Sequence, residues 1–138
     1  MNKQIQFFLS WLAGFITLTI LDVIWLGYII QDIIKEDFAP FITVTNGSID
    51  ILLGVGLLAW AIISLGCVYF VSYRSKSITE VLKNGALFGF VLYGCYELTN
   101  LTFFTNYPIR FVIIDIIWGT IVCTAVSVSG YLVKKKLQ

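Results

Sequence analysis

Apolar residues run through this chain in four long blocks separated by short polar segments, and each block is too long and too continuous to be the buried face of a soluble fold. A helix needs about 20 mostly apolar residues to cross a hydrocarbon layer about 30 Å thick. The blocks predict transmembrane helices over about 5–30, 49–72, 79–104 and 109–133. The third is the most polar of the four. Between the first two blocks lie Asp32, Lys35, Glu36, Asp37 and Pro40, followed by the turn signal Asn46-Gly47. The first part of that segment reads as a short interfacial helix. The connections at 73–77 and 105–110 are shorter still, so the prediction is all-α: an integral membrane bundle of four transmembrane helices, one domain spanning 1–138.

Composition narrows the setting. Hydrophobic residues make up 59% and charged residues 12% of the chain, against about 45 to 50% and about 25% in soluble domains. The bilayer is therefore the expected partner. A net charge of +1 offers no basic surface for nucleic acid. Histidine is absent and the sole methionine is Met1, which removes the usual haem ligands and the commonest general base, so neither a cofactor nor a metal is expected. Cys67, Cys95 and Cys123 are far apart in apolar blocks and read as packing residues. The stretch beginning at Ile5 continues without a cleavage pattern and reads as a first spanning helix, not a signal peptide.

Lys and Arg set the expected orientation. With the N-terminus inside, Lys3, Arg74, Lys76, Lys83, Lys134, Lys135 and Lys136 are cytoplasmic, and only Lys35 and Arg110 lie outside. That asymmetry predicts both termini in the cytoplasm.

Four acids fall within the blocks: Asp22, Asp50, Glu97 and Asp115. A charge in a membrane costs several kcal/mol and calls for a partner or a wet cavity. At about 1.5 Å per residue, Asp22 falls roughly 6 Å outward of the midplane, Glu97 and Asp115 roughly 9 Å, and Asp50 roughly 15 Å. All four belong to the outer half. Leu21-Asp22-Val23-Ile24-Trp25 and Ile114-Asp115-Ile116-Ile117-Trp118 repeat one pattern, apolar-Asp-apolar-apolar-Trp, on helices of opposite direction. The inversion predicts crossed contacts, Trp118 with Asp22 and Trp25 with Asp115, each an indole donor on a carboxylate acceptor. Tyr93, Tyr96, Glu97 and Asn100 recur at offsets of three and four and predict one polar stripe facing the bundle. Gly85-Ala86-Leu87-Phe88-Gly89 predicts close helix packing. Arg110 is the one cation near this layer and is expected to reach Glu97 or Asp115. With so little compensation, the cluster is expected to hold at least one proton at neutral pH.

Leu21 to Gly27, Gly85 to Gly89, Tyr96-Glu97-Leu98-Thr99-Asn100-Leu101-Thr102 and Asp115-Ile116-Ile117-Trp118-Gly119 together resemble a family of small bacterial membrane proteins, domain of unknown function 2177. The family pattern carries Asp at the position of Glu97 and Trp-Pro at Tyr107-Pro108. The resemblance implies a four-helix protein of the bacterial inner membrane and brings no activity with it. From the residues themselves, the expected function is binding or transport of a small or cationic molecule, coupled to protons, by a homodimer. Asp22, Trp25, Tyr93, Tyr96, Glu97, Asn100, Arg110, Asp115 and Trp118 are its candidate site residues. The alternatives are an enzyme or accessory factor acting on a lipid ligand, and a structural protein with an internal polar network. The enzyme reading is the less favoured, for want of a nucleophile or histidine.

Overall fold

Large apolar side chains cover the outside of this molecule, and its interior mixes apolar residues with serines and carboxyls. The computed structural model describes residues 2–138. Its first helix, α1 (Lys3–Ile24), starts where the Asn2 side chain accepts the Gln4 amide at 3.0 Å, and ends in a π-helical turn, Trp25–Ile29. A short α2 (Gln31–Asp37) follows, as the interfacial segment predicts. Asn46 and Gly47, with φ of 51° and 81°, then form the two-residue turn of a small ribbon pairing β1 (Val44–Thr45) with β2 (Ser48–Ile49). Asn-Gly suits this turn because both central residues take positive φ. The second long helix, α3 (Leu53–Gly66), continues as a π-helical turn over Cys67–Ser72.

Ser77 caps α4 (Ile78–Phe103) by accepting the Glu80 amide at 3.2 Å, while the Glu80 carboxylate accepts the Lys76 amide at 2.7 Å. This is a variant of the reciprocal Ser-x-x-Glu box that satisfies exposed amides at a helix start. After Pro108, α5 (Ile109–Lys136) runs back through the centre of the bundle. It packs along α4 on one side and α1 on the other. Gly85 and Gly89 let this happen: a Cβ at Gly85 would stand 3.0 Å from the Thr124 Cα, and one at Gly89 would overlap the Gly119 carbonyl. The predicted G-x-x-x-G contact is therefore the α4–α5 seam.

Three helical stretches, Lys3–Ile29, Leu53–Ser72 and Ile109–Lys136, are long and apolar enough to cross a membrane. Their outward faces carry Phe8, Ile16, Ile20, Leu58, Ile62 and Ile117, all exposed, while Ser10, Ser64, Ser72 and Ser127 are fully buried. Water would penalise that arrangement and lipid would not. The second predicted block begins four residues later than expected, at Leu53, because 44–49 are committed to the ribbon. Asp50 consequently lies outside any helix, exposed, accepting from Thr45 Oγ1 at 2.9 Å, and does not join the other acids.

Candidate functional site

The buried acids sit toward the end of the bundle that bears α2 and the ribbon, and they divide into two neighbouring parts. In the first, Asp22 on α1 is 5% exposed and accepts from Trp118 Nε1 at 2.8 Å. Trp60 of α3 lies against the same carboxylate. This is one of the two predicted indole contacts. The other does not form: Trp25 instead stacks flat on Trp118, centroids 4.2 Å apart and planes 3° from parallel. The Trp118 ring thus takes the place expected of Asp115 beside Trp25.

In the second part, Glu97 of α4 is 0% exposed, and neither carboxylate oxygen has a hydrogen-bond partner among the described residues. The half-buried Asp115 carboxyl and the Tyr107 hydroxyl face it. The Asn100 amide donates to that hydroxyl at 3.3 Å. Tyr107 lies in the turn before α5, where burial pushes its phenol above the ordinary value and the neighbouring Glu97 pushes it further, against the Asn100 contact. It remains a donor at any physiological pH. Tyr93 stands between the two parts, its ring filling the space that a side chain at Gly119 would need. Phe38 closes the outside of the cluster, edge-on to Tyr107 and Phe111 at 5.7 and 4.9 Å.

One expected member, Arg110, lies elsewhere, and another, Tyr96, stands only at the rim. Arg110 does not descend to Glu97 or Asp115; it holds Asp37 at 2.6 Å and Glu36 at 2.8 Å, at the surface. Five residues separate Arg110 from Asp115, which is about 140° around a helix, so the two leave opposite sides of α5. Tyr96 is 63% exposed. Tyr93, Glu97 and Asn100 fall within about 60° of one another, and Tyr96 lies about 40° beyond Asn100 and about 100° from Glu97. Trp60 and Tyr107, in contrast, are not among the expected members: no charge or repeat marks Trp60, and Tyr107 is marked only by the aromatic-proline turn of the family pattern.

Open space reaches both parts. A cavity of about 680 Å³ lies beneath α2 and the ribbon, lined by Asp22, Leu26, Gln31, Ile34, Ser48 and Ile51 among others. A groove of about 340 Å³, walled by Ala59 and Ile63 of α3 and by Leu92, Tyr93 and Tyr96 of α4, leads to Asp115. Among the described residues no salt bridge joins Asp22, Glu97 or Asp115.

Apolar helices around buried carboxyls define an all-α integral membrane protein with an acidic, aromatic interior site. The profile of the predicted membrane proteins of domain of unknown function 2177 matches residues 7–132, and the chain belongs to that family. No curated protein and no solved structure matches it.

Proposed function

We propose that this is a bacterial cytoplasmic-membrane protein with four crossings and both termini inside, which binds a small organic cation at Glu97 and Asp115 in exchange for a proton. The observation that carries the reading is Glu97, a fully buried carboxyl with two unpartnered oxygens facing a second carboxyl. Two like charges in contact at low dielectric repel strongly, so the pair shares a proton when empty and releases it to a cation. Asp22, held by Trp118, adds negative potential without losing its own donor. Tyr93 and the indoles supply aromatic faces that favour a quaternary ammonium.

Four crossings fit the ties between termini. Gln6 Nε2 donates to the Lys134 carbonyl at 3.0 Å, which holds the start of α1 beside the end of α5 and calls for an even number of passes. On the half of α4 near the acids, Glu97, Tyr93 and Asn100 turn inward, and Leu87, Phe90, Val91 and Leu98 turn out. Transport is the natural extension of binding, carried out by a homodimer whose second copy completes the path.

The test is calorimetric titration of tetramethylammonium into the detergent-purified protein across pH. Binding is expected to weaken as pH falls, to release protons in proportion, and to drop at least about tenfold in Glu97→Gln and in Asp115→Asn, the loss of about 1.4 kcal/mol. Binding that is unchanged in both variants would sink the reading.

A further inference from the structure

The groove that ends at Asp115 does not stop at the polar residues. It continues between α3 and α4 into an apolar channel of about 530 Å³ that shares Ile63 and Leu92 with it and runs along Ile62, Gly66, Phe70 and Phe88. It exists because α4 packs on α5 along its length but meets the α3 stretch mainly through the π-helical turn Cys67–Ser72. Toward the ribbon end the two helices part, and the gap faces the surrounding lipid. Its walls are exposed: Ile62 is 61% and Phe70 60% accessible.

We propose that this gap is a lateral entrance and that the ligand is an amphiphilic amine, a single alkyl chain bearing an ammonium head, which enters from the bilayer. The proposal deepens the cation-binding reading and rests on it. The head reaches Asp115 and, behind it, the unpartnered Glu97; the chain lies along Ile63, Leu92 and Phe88 toward the terminal end. This follows the direction of a lipid in the leaflet at the ribbon end. Asp115 is six residues into α5, so the head is drawn about 9 Å below the start of the helix.

Selectivity follows from the solvent. Lipid tails are as apolar as the groove, so a chain gains little by moving from one to the other. The head must therefore decide occupancy. An ammonium below the membrane surface is costly in lipid and compensated here by two carboxyls, whereas a phosphate head would meet them as like charges. Zwitterionic phospholipids carry an ammonium too, but it is tied to a phosphate that would follow it in, so their heads are disfavoured at the carboxyls although their tails fit the groove.

The experiment uses dodecylammonium with a diazirine on its chain, in phosphatidylcholine vesicles containing the full-length protein, with labelled residues mapped by mass spectrometry. Labelling of Ile63 and Leu92 is expected, competed by unmodified dodecylammonium, about tenfold weaker for the matching diazirine alcohol, and reduced to the alcohol's level in Asp115→Asn. Ile62→Trp and Leu65→Trp each fill part of the apolar stretch, both at lipid-facing positions that the core does not need. Each is expected to cut labelling about tenfold while tetramethylammonium binding stays within about twofold of the parent. If both variants label as the parent does, or the alcohol labels equally, the lateral site is overturned while the cation site stands. If tetramethylammonium fails to bind the parent at any pH, both readings fall.

Discussion

Asp22 and Glu97 are both buried carboxyls, but only one has a donor, and that difference sorts the consequences of substitution around them. Trp118 serves Asp22 with its N–H and Trp25 with its ring face. Trp118→Phe keeps the stack and removes the donor, and a hydrogen bond to a charged acceptor is worth about 1.5 to 3 kcal/mol when buried. Trp25→Phe keeps an aromatic on the same face and should cost well under the roughly 0.5 to 1.5 kcal/mol of a whole aromatic pair. Chemical or thermal unfolding in detergent should therefore rank Trp118→Phe clearly below Trp25→Phe. Equal losses would mean that the stack, not the indole–carboxylate bond, holds α1 against α5. The Asp22–Trp118 contact was legible because the repeated Asp-x-x-Trp fixes which residues share a face. Its mirror image was not, because spacing fixes a face and not a partner, and Trp25 meets the ring of Trp118 on that face. Arg110 misled for a related reason: proximity in sequence to Asp115 concealed a half-turn of rotation.

At the level of elements, α2 is the piece tied down by charge and not by burial. None of its residues is buried, and it is held by Arg110 on Asp37 and Glu36 and by Lys35 on the Gly47 carbonyl. Beneath it lies the cavity that opens onto Asp22. Arg110→Ala is expected to speed amide hydrogen exchange over 31–41 and leave exchange in α4 and α5 unchanged, with no measurable fall in melting temperature, because exposed ion pairs contribute little to global stability. Unchanged exchange over 31–41 would show that Phe38, packed on Tyr107 and Phe111, anchors the segment by itself. The four long elements were legible from continuous apolarity, to within a few residues at most ends. The start of α3 was not: Ile49 and Asp50 lead into an apolar run and look helical, yet Asn46-Gly47 turns the chain into a ribbon and uses them first.

For the whole molecule the decisive quantity is the number of crossings, and α4 determines it. Judged by average hydropathy, three stretches qualify and α4 does not. Yet it has 26 residues, about 39 Å at helical rise, ample for the hydrocarbon layer. Hydropathy weighs a residue without asking which way it faces, and α4 buries Glu97 and presents Leu87, Phe90 and Leu98 outward. An odd count would also separate ends that the fold joins: Tyr131 donates to the Lys76 carbonyl at 3.2 Å and Lys134 to the Ser72 carbonyl at 3.1 Å, which gathers the α3–α4 turn and the end of α5 together. The positive residues crowd at that end, so it should be cytoplasmic. In a background with Cys67, Cys95 and Cys123 replaced by alanine, single cysteines at Asn46 and Lys135 test both points. A membrane-impermeant maleimide is expected to label Asn46→Cys on intact cells and Lys135→Cys only after lysis. The reverse pattern would turn the molecule over and put the acidic site near the cytoplasm. Adding Ser77→Cys to the set counts passes: it must label with Lys135→Cys, and labelling from outside would remove α4 from the membrane and the lateral groove with it.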